Sequence, residues 1–158
     1  DTSDRETLQA MKNAGMVGLK FGAESGVQRL VDISGKGLDL AKVRDAVAMC
    51  KEIGLKTHLT FTLGLPGETL ETIQQSVNFT KELDPDTVQW SLTTPFPGTK
   101  YYDLADKSGW LSTKDWSKYD GAVYTVLRSD NLTIEDLQRA LQDAVIQWKL
   151  HVAKRQCK

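Results

Sequence analysis

Residues 55–69 read LKTHLTFTLGLPGET and combine a strand, a turn and a helix start. Most of the first nine residues are apolar or β-branched, which predicts a strand over residues 55–63 that is buried on both faces. The GLPGE that follows predicts a turn, and Thr69 predicts the N-cap of a helix that continues to Leu83. A buried strand followed at once by a helix is typical of an α/β protein.

The same pattern extends on both sides of this stretch. Residues 16–23 and 87–92 predict two further strands, and residues 40–53 predict a helix with apolar residues at helical spacing. Asp39 is placed to cap that helix, and Gly54 is placed to end it. Three strands alternating with two helices predict a parallel sheet with right-handed crossovers.

The two ends of the chain are predicted to be helical. Before the first strand, the capping box of Ser3 and Glu6 predicts a helix over residues 2–14. After the last strand, we expect a short helix over 101–108, an irregular aromatic stretch over 109–126 and a helix over 133–154 that Thr133 and Asp136 open. We therefore expect an α/β sheet unit over residues 1–100 and a helical extension packed on it over residues 101–158. The aromatic side chains of the irregular stretch either line a substrate pocket or pack in the core.

Three parallel strands leave unpaired edges. We expect the first strand either to self-associate along its free edge or to be covered by the long helix 133–154. The basic residues that follow position 148 are interpreted as a solvated helix end that complements the helix dipole.

Composition excludes several classes of protein. The chain has 158 residues with 20 Lys and Arg against 21 Asp and Glu, so it lacks the basic face of a nucleic-acid binder. No apolar run is long enough to span a membrane. Cys50 and Cys157 are too few for a disulfide framework or a four-ligand metal site, and they are interpreted as reduced thiols in a cytoplasmic protein. The chain opens directly on a helix start, so we expect it to be part of a longer protein.

A ligand site is expected where the strands end, because parallel α/β folds bind ligands beyond the carboxyl ends of their strands. Glycine-containing segments follow each predicted strand, and Glu24 follows the first. A carboxylate there can accept two hydrogen bonds from a ribose diol, although it can also serve only to cap a helix. His58 is interpreted as a hydrogen-bonded packing residue. The sequence shows no acid–base set, Walker loop or zinc motif.

Three segments in order carry a family resemblance. They are GLKFGAESGVQRLVDISGKG (18–37), THLTFTLGLPGETLETI (57–73) and TVQWSLTTPFPGTKYY (87–102). Together they resemble the C-terminal half of a radical S-adenosylmethionine (SAM) domain. More narrowly, they are similar to a group that includes anaerobic magnesium-protoporphyrin cyclases and often carries an upstream cobalamin-binding domain.

The resemblance implies a fold and a chemistry. It implies a partial (β/α) barrel whose fourth, fifth and sixth strands are present here. The implied cofactors are SAM and a four-iron four-sulfur cluster, with cobalamin possible. The parent would be a cyclase or methyltransferase acting on a tetrapyrrole or another organic substrate. The family's CxxxCxxC cluster loop is not in this sequence, so we expect no metal ligand or catalytic residue here. We also expect the isolated chain to be inactive without the N-terminal half of the barrel and a cobalamin-binding domain as partners.

The resemblance also implies which residues contact SAM. Glu24 matches the polar residue that ends the fourth strand and contacts the ribose or the amino-acid part. Lys36 matches a basic residue that pairs with the SAM carboxylate, although it also reads as a solvated lysine in a turn. The other expected contacts are Ser25, Thr60 near the ribose, Leu63, Gly64, Leu65 and Pro66 against adenine, and Gln89, Ser91 and Thr93 on one face of the sixth strand.

Two alternatives remain open from the sequence. The chain can be a non-catalytic α/β binding or interaction module, and the coding sequence upstream of Asp1 discriminates this from a radical SAM fragment. It can also be part of a phosphate-binding barrel enzyme. That reading is disfavoured because Pro66, Pro95 and Pro97 remove amide donors from the loops.

Overall fold

The computed structural model describes residues 4–122 and 124–157. These residues form a parallel sheet in the order β1-β2-β3 with helices on one face, which confirms the expected α/β fold. The elements are α1 (Arg5–Asn13), β1 (Gly18–Glu24), α2 (Gln28–Ile33), α3 (Leu40–Ile53), β2 (Lys56–Leu63), α4 (Leu70–Leu83), β3 (Thr87–Leu92), α5 (Lys100–Lys107), a 3-10 turn (Trp116–Lys118) and α6 (Ile134–Gln156).

Local capping signals set most helix boundaries. Asp39 accepts a hydrogen bond from the Ala41 amide, and Gly54 ends α3 in the left-handed conformation, both as expected. Thr69 opens α4 with a capping box, and Thr133 opens α6 in the same way. The first helix differs from expectation, because its N-cap is Asp4, which accepts from the Thr7 amide at 2.9 Å. The expected cap, Ser3, lies outside the described residues.

The sheet buries one face only. Thr57, Leu59, Phe61 and Leu63 of β2 are buried toward the helices, and Phe61 stacks on Trp90 of β3 with ring centroids 4.8 Å apart. The residues between them on β2 are polar and at least partly exposed. The prediction of strands buried on both faces is therefore wrong. The helices cover one face, and period-two alternation sends every second side chain to the other.

The long helix α6 packs against α4 and β3. Its Leu137 and Ala144 join the same core as Leu63 and Leu92. This placement leaves the free edge of β1, at the opposite side of the sheet, without α6. The expectation that the long helix covers that edge is therefore wrong.

The basic end of α6 is anchored rather than merely solvated. His151 Nε2 lies 2.9 Å from Asp84 Oδ1, and Arg155 donates to the same oxygen at 2.9 Å and to the Pro85 carbonyl at 3.1 Å. Partial burial tends to raise the pKa of the Asp84 carboxyl. The hydrogen bond from His151 and the charge of Arg155 act in the opposite direction, and the net pKa is lowered. These contacts hold the end of α6 beside the turn that leads into β3.

The aromatic stretch before α6 contacts the sheet at the end of β3. The Leu92 amide at the end of β3 donates to the Gly121 carbonyl at 2.7 Å. Trp116 and Tyr124 of this stretch are 69% and 61% exposed, so these two do not pack in the core. Among the described residues, no helix is long and apolar enough to cross a membrane.

Candidate functional site

The uncovered face of the sheet, called the inner face below, is polar across all three strands. Strand register aligns its side chains in rows, because partners on neighbouring strands point the same way. The rows consist of Lys20, His58 and Thr87; then Gly22, Thr60 and Gln89; then Thr62 and Ser91. A polar and partly exposed face on an otherwise well-packed sheet is suited to holding a polar ligand.

Glu24 lies at the carboxyl end of β1, where a shift in register pairs it with Phe61 of β2. A β-bulge separates it from Gly22, and its φ of +63° is unusual for a residue with a side chain. Its Oε2 accepts from the Thr62 hydroxyl at 3.0 Å, and its Oε1 accepts from Lys36 Nζ. The bulge and the strained backbone turn the carboxylate onto the inner face, as often occurs at functional sites.

The lack of a side chain on Gly22 lets this ion pair lie directly against the backbone of β1. A Cβ built on Gly22 lies 2.7 Å from Glu24 Oε1 and 2.9 Å from Lys36 Nζ, and 3.6 Å from the Thr60 hydroxyl. Three of the residues expected to contact SAM therefore surround one glycine. Sequence reasoning named all three but did not predict that Glu24 and Lys36 pair with each other, because twelve residues separate them.

The turn after β2 is built around a buried carboxyl group. Glu68 is fully buried, and its Oε2 accepts from the amides of Gly64 and Leu65. Its Oε1 has no hydrogen-bond partner among the described residues. Burial raises the pKa of Glu68 to about 7, although the two amides oppose the shift. Sequence reasoning placed Glu68 in a turn and missed this role.

Tyr101 of α5 connects to the same turn. Its hydroxyl donates to the Gly64 carbonyl at 2.8 Å. Burial, and to a smaller extent the charge of Glu68, raises the pKa of the Tyr101 phenol above its usual range. Both backbone polar groups of Gly64 are thus occupied within the protein. Of the expected adenine contacts, Leu63 and Leu65 are buried and Pro66 is partly exposed.

Two other expected contacts lie away from the inner face. Ser25 is fully buried, with its Oγ 3.1 Å from Ser76 Oγ of α4, so its hydroxyl serves the packing of the β1–α2 turn. Thr93 follows the end of β3, is 9% exposed, and donates to the Leu63 carbonyl at 2.9 Å. Gln89 and Ser91 share the inner face as expected, but the alternation stops before Thr93 because the strand ends at Leu92.

The described residues do not fit an iron–sulfur cluster. They contain no group of three or more Cys, His, Asp or Glu side chains that could hold a metal ion. Cys50 is buried in α3, and Cys157 is exposed at the end of α6. Clusters of this kind need several thiolates that converge on one point. Any cluster must therefore be held by residues outside this set.

A family model decides the identity. The model for the radical SAM superfamily matches residues 1–80. The chain belongs to the radical SAM superfamily. The resemblance drawn from the three sequence segments is thereby confirmed, and the matched residues include β1, β2 and the inner-face residues that surround Gly22. Radical SAM proteins use SAM together with a four-iron four-sulfur cluster.

Curated relatives and solved structures agree with this assignment. An uncharacterized methyltransferase of Pyrococcus horikoshii is 33% identical over 95% of this chain and 32% of its own length. The anaerobic magnesium-protoporphyrin IX monomethyl ester cyclase of Cereibacter sphaeroides is 30% identical over 85% of this chain and 21% of its own. The chain thus spans about a third or less of these relatives.

The fold likeness extends beyond the matched region. Coproporphyrinogen III oxidase (HemN) from Escherichia coli, a radical SAM enzyme, superposes with a TM-score of 0.68 at 17% identity, covering 94% of this chain and 30% of that one. The methyltransferase TsrM from Kitasatospora setae, solved with cobalamin and a [4Fe-4S] cluster, gives 0.60 at 23% identity, covering 85% and 27%. At these identities the likeness shows the fold alone.

Proposed function

We propose that this chain is the SAM-binding half of a radical SAM barrel and supplies its fourth to sixth strands. The observation that carries the proposal is the arrangement of Glu24, Lys36 and Thr60 around Gly22, whose missing side chain lets the two charged groups lie against the strand. A carboxylate, an ammonium and a hydroxyl match the ribose diol and the amino-acid part of SAM.

The ion pair between Glu24 and Lys36 must open when SAM binds. Glu24 and Lys36 satisfy each other in the structure. Glu24 would accept hydrogen bonds from the ribose hydroxyls, and Lys36 would donate to the SAM carboxylate. The ion pair between Glu24 and Lys36 would thus be exchanged for two contacts with the ligand. Gln89 and Ser91 face the same space from β3. Bound SAM supplies the adenosyl radical or the methyl group that the family uses.

The proposed whole protein is larger than this chain. Since the described residues cannot hold the cluster, an N-terminal half-barrel with CxxxCxxC must supply it, and this chain is inactive alone. Relatives named as a cyclase and as methyltransferases support a parent of one of these types, with a tetrapyrrole or another organic substrate and a cobalamin-binding domain. The free thiols support a reducing cytoplasm. The division into a barrel part, residues 1–100, and an extension, residues 101–158, is also a proposal. In the structure, α6 of the extension shares one hydrophobic core with the sheet.

The coding sequence upstream of Asp1 tests this function directly. We expect CxxxCxxC about 100 residues before Asp1, a distance set by three βα units of about 30 residues each. A reading frame that begins at Asp1 would instead support a non-catalytic α/β binding module, and the search would turn to a binding partner.

We also propose that the chain self-associates along β1 when it is isolated. Among the described residues, β1 pairs with β2 on one side and with no strand on the other. An unpaired parallel edge offers a row of hydrogen-bonding groups to another strand. Light scattering of the isolated chain should show a mass that rises with concentration. A monomer at every concentration contradicts this proposal.

A further inference from the structure

The proposed SAM site uses one end of the inner face and leaves the other end unexplained. Lys20 of β1 reaches across β2, and its Nζ donates to Gln89 Oε1 of β3 at 3.4 Å. Between them on β2, His58 Nδ1 lies 2.7 Å from the Thr87 hydroxyl. These four side chains form a second polar group, called the lower cluster below.

The lower cluster contains a cation without a counter-ion. Among the described residues, no carboxylate oxygen lies within 4.0 Å of Lys20 Nζ, whereas Lys36 is paired with Glu24. The acceptor that Lys20 does have is a neutral amide oxygen at the long end of hydrogen-bond distances. An ammonium carries three donors, and an ionised acceptor binds it about twice as strongly as a neutral one.

The position of Lys20 separates it from the SAM site. Lys20 and Glu24 lie four residues apart on one strand, which corresponds to about 13 Å along the inner face. The carboxylate of a SAM molecule held by Glu24 is already matched by Lys36, close to Gly22. Lys20 and His58 are therefore available to a second molecule that enters the barrel interior, and Gln89 lies between this molecule and the proposed SAM site.

We propose that Lys20, with Gln89 and His58, binds a carboxylate group of the substrate in the barrel interior. This inference rests on the proposed function and adds to it the chemical class of the substrate. The carboxylate replaces Gln89 as the acceptor for Lys20, and the Gln89 amide then turns its N–H toward the second carboxylate oxygen. A single ammonium matches one negative charge, whereas phosphoryl groups favour arginine forks or several backbone amides.

The test uses two small probes of equal shape and different charge. The 158-residue chain is titrated with glutarate and with its neutral diamide, glutaramide, while NMR follows the side chains of His58 and Gln89. Glutarate should shift both signals in a saturable way, and glutaramide should not. Lys20→Met should weaken glutarate binding about fivefold or more, the expected effect of losing one partly screened charge contact. The matched variant Lys149→Met removes an exposed lysine of α6, which packs on the opposite side of the sheet from β1, and should change the affinity less than twofold.

The outcomes also separate this inference from the proposed function. S-adenosylhomocysteine is titrated into the same samples, and Lys20→Met should leave its affinity unchanged. Glutarate binding that depends on Lys20 while S-adenosylhomocysteine fails to bind supports the lower cluster and contradicts the SAM site. Equal losses in Lys20→Met and Lys149→Met, or glutarate shifts centred on Lys36, overturn the inference.

Discussion

Glu24→Gln is expected to weaken the binding of S-adenosylhomocysteine about tenfold or more, because hydrogen bonds to an ionised acceptor contribute about 1.5–3 kcal/mol. The carboxylate of Glu24 is held on the inner face by Thr62 and Lys36, where the ribose diol is proposed to bind. Glutamine keeps the size of the side chain and removes the charge. The measurement is calorimetric titration of the full-length protein whose reading frame contains this chain. The loss should be larger there than in the isolated chain, because the complete barrel encloses the ligand.

Two further variants make this result specific. Glu71→Gln removes an exposed carboxylate of α4, outside the inner face, and should leave the affinity unchanged. Gly22→Ala places a methyl group 2.7 Å from Glu24 Oε1 and 2.9 Å from Lys36 Nζ, so it should displace both charged groups and weaken binding while the circular dichroism spectrum stays that of the wild type. Equal affinities for wild type, Glu24→Gln and Gly22→Ala would remove the ribose assignment.

Glu68→Gln is expected to abolish a pH dependence of stability of about 3 kcal/mol between pH 4.5 and pH 8. Burial raises the pKa of Glu68 from 4.5 to about 7 in the folded chain. Between these values the folded state binds more protons than the unfolded state. The stabilisation is thus complete below pH 4.5 and is lost as the pH rises through 7. Urea denaturation of the 158-residue chain across this range measures the slope.

Other substitutions separate charge from hydrogen bonding at this turn. Glu68→Ala leaves the buried amides of Gly64 and Leu65 without an acceptor and should cost about 3 kcal/mol below pH 4.5, where Glu68 is protonated in both states, and like Glu68→Gln it should lose the pH slope. Glu71→Gln should retain the pH slope of the wild type. A wild-type chain whose stability is flat between pH 5 and pH 8 contradicts the assignment of a protonated Glu68.

Much of the architecture could be predicted from short-range signals. Asp39 and Thr69 cap their helices through amides two and three residues away, and Gly54 ends a helix through its own backbone. The period of two along β3 indicates that Gln89 and Ser91 share a face. These signals require no knowledge of distant residues, so the order of elements and the parallel sheet followed from sequence. The three family segments also named the residues around Gly22.

The state of Glu68 could not be predicted in this way. Its burial depends on the turn being covered by later elements: Tyr101 of α5 bonds Gly64, and Asn131 donates to the Glu68 carbonyl at 3.2 Å. Both residues come more than thirty positions later in the chain. The same is true of Ser25, whose hydroxyl is occupied by Ser76 of α4. A motif predicts which residue stands at a turn, and long-range packing decides whether its side chain meets ligand or protein.

By itself, the sequence determined the family and the order of the strands and helices, and it named Glu24, Lys36 and Thr60, because capping, alternation and motif spacing act over a few residues. Only the tertiary structure decided the rest. In the tertiary structure, α6 packs on β3 and not on the edge of β1, and the polar faces of the three strands lie on one side of the sheet. Lys20 contacts Gln89 across the sheet. These contacts join residues far apart in sequence, so they depend on how the strands align once the helices have packed on one face.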